Sequence, residues 1–271
     1  MKPLIPFVAF AIFFFNCRGQ HIAAPVGAKA WMLGGSSVTI TDVWSATNNP
    51  AASIPIRKTQ YGLYSEQRFS EKNLRLANLS VIVPTKYGQL GGTLNYYGYS
   101  LFNQQKIGIS LSKALSTTFA LGVQLNYVST FIEQYGTAGN MVVAAGISAM
   151  PVQRLRIGFV VFNPTQYTYG AYTSEKIPAY AKLGCAYDVS DKVMLQLEAD
   201  QTLNQQLSWR GGVYYKIHEV VHLALGAATQ PVYYTFGTVL YMKTIKLDMA
   251  ASFHEVLGLT PHVGCSLPIA K

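Results

Sequence analysis

The sequence predicts an all-β protein: a transmembrane antiparallel β-barrel of about 14 strands, with an N-terminal segment packed in or at its lumen. Three observations predict this class. Charge is scarce, no apolar run past the amino terminus is long enough for a membrane helix, and apolar residues alternate with small or polar ones through most of the chain.

Half of the 271 residues are hydrophobic and only 12% are charged, against about 25% in an ordinary soluble domain. A soluble chain so poor in charge would struggle to cover its surface, whereas a chain facing lipid would not. A membrane helix needs about 20 consecutive apolar residues, and nothing after residue 19 approaches that. Alternation is clear in several segments. Ile107, Ile109 and Leu111 alternate with Gly108, Ser110 and Ser112, and Leu121, Val123, Leu125 and Tyr127 with Gly122, Gln124 and Asn126. Successive strand side chains point to opposite faces, so each segment has one apolar and one small or polar face. A β-sandwich would alternate too. The Gly/Ala/Ser/Asn/Gln content of the second face and tyrosines near segment ends point instead to a barrel with a wetted or closely packed lumen and aromatic girdles.

Taken in order, residues 1–19 read as a secretory signal. Lys2 gives the charged start, residues 4–15 (LIPFVAFAIFFF) the short apolar core, and Cys17 and Gly19 the small residues before a cleavage expected ahead of Gln20. A lipoprotein reading of Cys17 meets Phe15 and Asn16 where small residues are wanted. Losing Lys2 and Arg18 takes the formal charge from +9 to +7. The remaining cations are scattered, so no nucleic-acid partner is expected; acidic envelope lipids or polymers suit them better. Cys185 and Cys265 fall on the apolar parity and read as small lipid-facing hydrophobes.

Residues 20–56 lack strand alternation. Trp31, Met32, Leu33, Val43 and Trp44 give this stretch apolar anchors. A barrel of about fourteen strands encloses more space than its own side chains fill, so the segment is expected in the lumen or its periplasmic mouth. Residues 57–271 form the barrel, with strands expected near 57–69, 76–85, 89–101, 106–115, 119–131, 140–150, 154–163, 179–188, 192–201, 207–216, 220–229, 233–242, 245–253 and 260–269. Connections at 86–88, 189–191 and 217–219 are tight, and those at 132–139 and 164–178 are longer and fall at the opposite end. Short periplasmic turns and long external loops produce that bias.

The N-terminal segment carries Gly27-Ala28-Lys29-Ala30, Met32-Leu33-Gly34-Gly35, Asp42 and Asn49-Pro50-Ala51, and the chain ends with Phe253-His254-Glu255-Val256-Leu257-Gly258-Leu259-Thr260-Pro261. These motifs resemble the PorV/PorQ branch of the FadL-like outer-membrane barrels of Bacteroidetes. The resemblance implies a fourteen-stranded barrel in the outer membrane of a Gram-negative cell. It also implies a non-enzymatic accessory or docking protein of envelope secretion, type IX-like, with a secretion or envelope-assembly complex as partner. The alternative it carries is a FadL-like channel with a hydrophobic small-molecule ligand. A lipid-embedded wall is common to both.

Four groups of residues are candidates for function. Lys182, Asp188, Glu198, Asp200, Arg210, Lys246 and Asp248 share the non-apolar parity of the later strands. The barrel therefore points them inward, either along a permeation path or in a paired network that anchors the N-terminal segment. Asn48, Asn49, Pro50 and Ala51 form either a gating element or a turn. Tyr167, Tyr169 and Tyr172 lie in the longest external loop and could contact a partner or sit in the interface belt. His218-Glu219-Val220-Val221-His222 is a literal H-E-x-x-H, the spacing with which one helix face grips zinc, and it carries a third, remote alternative, a zinc-dependent membrane protease. Its flanks have strand composition, and on a strand the two histidines would stand roughly 13 Å apart, too far to share a metal. With no phosphate loop and no Cys/His cluster of metal spacing, neither cofactor nor metal is expected.

Overall fold

A computed structural model describes residues 22–170 and 176–268. The signal-like stretch, Tyr172 and the last three residues lie outside them. Fourteen antiparallel strands close into a barrel in chain order. They are β1 Gln60–Gln67, β2 Arg75–Thr85, β3 Gly88–Gly98, β4 Phe102–Ala114, β5 Phe119–Ile132, β6 Gly136–Val152 and β7 Leu155–Phe162. The second half comprises β8 Tyr180–Asp188, β9 Val193–Thr202, β10 Ser208–Lys216, β11 Val221–Thr229, β12 Val232–Tyr241, β13 Lys246–His254 and β14 Gly258–Pro268. The barrel closes where β1 meets β14, from Gln60↔Pro268 to Glu66↔His262. Closure removes the open edges that hydrocarbon would leave without hydrogen bonds.

The alternation read from the sequence is the alternation of lipid and lumen. On β5, Leu121, Val123, Leu125 and Tyr127 are exposed, while Ala120, Gln124, Asn126 and Val128 between them are buried. The same pattern places Ile109, 70% exposed, on the outside of β4. Cys185 and Cys265 are free thiols in outward-facing positions. The even strand count puts both barrel ends on one side, with brief connections at 86–87 and 153–154. Residues 163–179 form a long connection at the other end. By that asymmetry the strand ends near Gln60 and Pro268 are periplasmic. One expected loop shortens: residues 132–139 are not a long connection, because the ladder runs on to Ile132↔Gly136. Gln134 at φ 70° and Gly136 at φ 82° make the tight reversal, and small residues at 137–139 extend the strand beyond the expected start of β6.

A charge at the bilayer midplane of a barrel wall costs ~2–4 kcal/mol, but only ~0–1 near the interfaces. Ile109→Arg, near the middle of β4, is therefore expected to lower unfolding free energy in lipid vesicles by about that larger amount. Leu115→Arg, at the rim, should cost little. Denaturant titration of both checks this, and equal effects would contradict a lipid-facing β4.

Candidate functional site: the plugged lumen and its mouth

Residues 22–56 fill the lumen. The segment contains two short helices, α1 Ala28–Met32 and α2 Ser45–Asn48, and a 3₁₀ turn, Pro50–Ser53. Too short to stand alone, they are held by the wall. Met32, Leu33, Val38, Val43 and Trp44 are each 0% exposed. Room for them comes from glycines on the inner face. A Cβ at Gly226 of β11 would lie 2.2 Å from the Gly34 nitrogen, and one at Gly146 of β6 only 2.1 Å from Asn49 Oδ1. The lumen is thus a moulded seat, with the wall stripped of side chains where the plug backbone touches it.

Hydrogen bonds fix the plug in that seat. Ser37 and Val38 N–H donate to Glu198 Oε2 at 2.6 and 2.8 Å. Lys182 Nζ donates to the Ala23 carbonyl at 2.9 Å, and Arg210 reaches the Gly35 carbonyl at 3.4 Å. Asp200 Oδ2 lies between these two cations, 3.4 Å from Lys182 and 2.8 Å from Arg210. Four of the seven charges expected to point inward thus form one cluster on β8, β9 and β10, turned toward the plug. A buried charge survives only when paired and hydrogen-bonded, and the plug backbone supplies part of that pairing.

Lys246 and Asp248 form a separate pair at 3.0 Å on β13, with the Lys246 ammonium 5.6 Å from the Trp44 ring. The plug's Asp42 accepts from Trp44 N–H at 3.0 Å. Burial raises its carboxyl above the usual range, against the opposing pull of Lys246 and Lys29. Burial, reinforced by Lys246, lowers the plug's Lys29 to about 8. Asp188 stands apart at the periplasmic mouth, bound to Arg156 through two contacts of 3.0 Å. Residues 48–51 form a turn. Asn48 clamps the Val26 backbone with bonds of 2.9 and 2.8 Å. Asn49 donates to the Val38 and Ile147 carbonyls and accepts from Ala51 N–H. Pro50 opens the 3₁₀ turn, and its carbonyl accepts from Ser112 Oγ at 2.6 Å.

One expectation about contact residues changes. Tyr167 is exposed as a loop residue should be, but Tyr169 is only 4% exposed. It packs inward with Val142, Phe162, Ile177 and Tyr180 because β7 carries Val160 and Phe162 on its inner face, an apolar bed for the ring. The H-E-x-x-H residues divide between two elements. His218 and Glu219 lie in the turn, while His222 is buried on β11 with its Nδ1 2.6 Å from Tyr214 Oη.

One cluster escaped sequence reasoning. Ser252 Oγ lies 2.9 Å from His262 Nε2, and Tyr64 Oη lies 2.8 Å from His262 Nδ1. Tyr64 donates to Glu66 at 2.5 Å, and Arg68 pairs with the other Glu66 oxygen at 2.8 Å. The residue types match a Ser–His–Glu triad, but Trp31 stacks on the imidazole at 4.6 Å and Ser252 is buried. The network ties β13 and β14 to β1 at the closure seam. Only the closed barrel brings positions 64–68 beside 252 and 262, so local spacing gave no signal for it.

Two cavities complete the geometry. The periplasmic mouth holds one of about 430 Å³ between the plug and the ends of β7 to β12. On the outer wall, a groove of about 640 Å³ is lined by Leu63, Leu79, Leu94, Ile107 and Val263. The β2–β3 ladder beneath it runs unbroken from Leu76↔Tyr97 to Thr85↔Gly88.

No protein-family model and no curated protein matches the chain. Solved structures do. The fold is similar to a Pseudomonas aeruginosa FadL homologue at 14% identity and TM-score 0.67, covering 90% of this chain and 98% of that one. It is similar to the P. putida toluene transporter TodX at 11% identity and TM-score 0.71, covering 92% and 100%. It also resembles the CymD monoaromatic hydrocarbon channel at 11% identity and TM-score 0.72, covering 92% and 99%. The chain shares the FadL-type barrel fold and is an outer-membrane barrel.

Proposed function

We propose that this chain is a gated outer-membrane channel for small hydrophobic molecules, with residues 22–56 as its gate. The carrying observation is that the plug is no part of the sheet. Hydrogen bonds to side chains such as Glu198 and Lys182 hold it, so it can shift without breaking the strand ladder. The apolar outer groove gives hydrophobic molecules a place to collect from the bilayer. That neighbours of the same fold are described as a monoaromatic hydrocarbon channel and a toluene transporter adds support. A second reading, a docking or accessory barrel of type IX-like secretion as the PorV/PorQ resemblance implies, draws support from the tightly packed lumen.

A locked plug separates the two. A Cβ at Gly91 would sit 2.9 Å from the Ala46 Cβ, with Ser110 Oγ closer still, so Ala46→Cys with Gly91→Cys should form a disulfide once that hydroxyl rotates away and the Cβ pair opens by about 1 Å toward the ~3.8 Å of a disulfide. In cells expressing the chain, uptake of a labelled monoaromatic hydrocarbon is expected to fall at least tenfold on oxidation and return on reduction. Uptake indifferent to the lock would overturn the channel reading and favour docking.

A further inference from the structure

The periplasmic-mouth cavity has a charge imbalance that the channel reading does not use. Five cations line it, Lys29, Arg154, Arg156, Lys192 and Lys216, against two carboxylates. Both carboxylates are taken: Asp188 by Arg156 at 3.0 Å and Asp191 by Arg154 at 3.1 Å. Among the described residues no carboxylate lies within ion-pair distance of Lys29, Lys192 or Lys216, although Asp42 and Asp248 act on Lys29 from farther away. The Lys29 ammonium instead rests 4.8 Å from the centre of the Tyr214 ring. Two uncharged groups are also unspent. Thr39 and Gln196 line the same cavity, each 5% exposed, and Thr39 Oγ1 and Gln196 Oε1 are buried without a hydrogen-bond partner.

From this arrangement we infer that the cavity is a binding site for a phosphate group, held between plug and wall. The donor set selects the anion. Arginine forks match planar carboxylates; the Arg156 fork is already filled by Asp188, and Arg154 spends one Nη2 contact on Asp191. Three lysine ammoniums are point charges arriving from different elements, which suits a tetrahedral oxyanion with an oxygen for each. The Thr39 hydroxyl adds a donor, and Gln196 Oε1 can accept from a protonated phosphate oxygen. The volume exceeds that of phosphate alone. Ile40, Met194 and the Tyr214 and Tyr241 rings line the remainder, so a small organic body fits beside the charged group. Lys29 and Thr39 belong to the plug, and Lys192 and Lys216 to the wall. A bound phosphate therefore bridges the two and favours the seated plug, since a ligand that binds one state stabilises it by mass action.

The test uses the full chain in non-ionic micelles, titrated with inorganic phosphate against chloride at matched ionic strength. Phosphate should bind saturably, and Lys29→Met and Lys216→Met should each weaken it at least tenfold. Lys29→Met keeps an aliphatic stem against Tyr214, and heat-modifiable migration reports whether each variant stays folded. Lys113→Met, outside the cavity, should bind as wild type. At ten times Kd, hydrogen exchange of the α1 amides should slow about tenfold. Repeating the titration in micelles doped with phosphatidic acid identifies the source: competition assigns a lipid headgroup, and its absence a soluble phosphate ester. Phosphate no tighter than chloride, or unchanged binding in both folded lysine variants, would overturn the site.

Discussion

Glu198→Ala is expected to unseat residues 22–56 while leaving the fourteen-stranded ladder in place. Its Oε2 accepts from two plug N–H groups, at 2.6 and 2.8 Å, in a site that is 1% exposed. Hydrogen bonds to a charged acceptor contribute ~1.5–3 kcal/mol each, and a buried donor left unmade costs ~1–3 kcal/mol. Both N–H groups lose their acceptor in the alanine variant, so plug seating should weaken by about 3 kcal/mol, roughly a hundredfold in the seated-to-released ratio. Lys182 keeps Asp200 at 3.4 Å, which limits any secondary loss. Glu198→Gln retains an uncharged acceptor and should lose only about 1 kcal/mol. Hydrogen exchange at the Ser37 and Val38 amides reads the effect directly. If those amides stay as protected in Glu198→Ala as in wild type, Glu198 is not what latches the plug.

The barrel was legible because lipid imposes a rule on the wall that acts residue by residue. Leu121, Val123 and Leu125 must face outward, so period-two alternation survives in the sequence, and each expected segment overlaps an observed strand. The same parity placed Lys182, Glu198, Asp200 and Arg210 inside. It could not tell that Glu198 and Arg210 meet the plug backbone at residues 35–38 and Lys182 meets it at Ala23, because those partners are main-chain N–H and C=O groups that no side-chain pattern encodes. Lys29, Asp42 and Thr39 were missed for a related reason: the plug obeys no periodicity, and its conformation is set by the wall. Asp188 was placed on the correct face, but its partner Arg156 lies on β7, where Val160 and Phe162 also face inward and blur the polar signal. The Ser252–His262–Glu66 network depends on the β1–β14 seam, the pairing most remote in sequence. Tyr169 was misplaced because a loop residue that folds back onto an apolar inner face looks, in sequence, like one that reaches outward.

Gly226→Val should release the plug without harming the wall, and it tests the moulded-seat idea more severely than any change of charge. A Cβ at Gly226 would meet Gly34 N at 2.2 Å, Leu33 C at 2.6 Å and Thr235 Oγ1 at 2.7 Å. Two of these three are plug backbone atoms, which cannot swing away as a flexible side chain can. Gly34 in turn sits at φ +71°, where a Cβ would lie 2.3 Å from the Ala227 carbonyl oxygen, so both sides of the contact depend on having no side chain. Overpacking costs ~1–3 kcal/mol when neighbours can shift, and occasionally more; here the available shift is for the plug to lift. Valine also favours strand conformation, so β11 itself should gain rather than suffer. The expected result is a folded, heat-modifiable barrel with raised conductance and new protease cleavage within residues 22–56. Ala227→Val, the next residue on the same strand, faces lipid and should change neither. A Gly226→Val barrel that remains sealed and protease-resistant would mean that the plug tolerates the added side chain. Close backbone approach would then not be what closes the lumen, and the hydrogen bonds to Glu198, Lys182 and Arg210 would have to hold the plug without it.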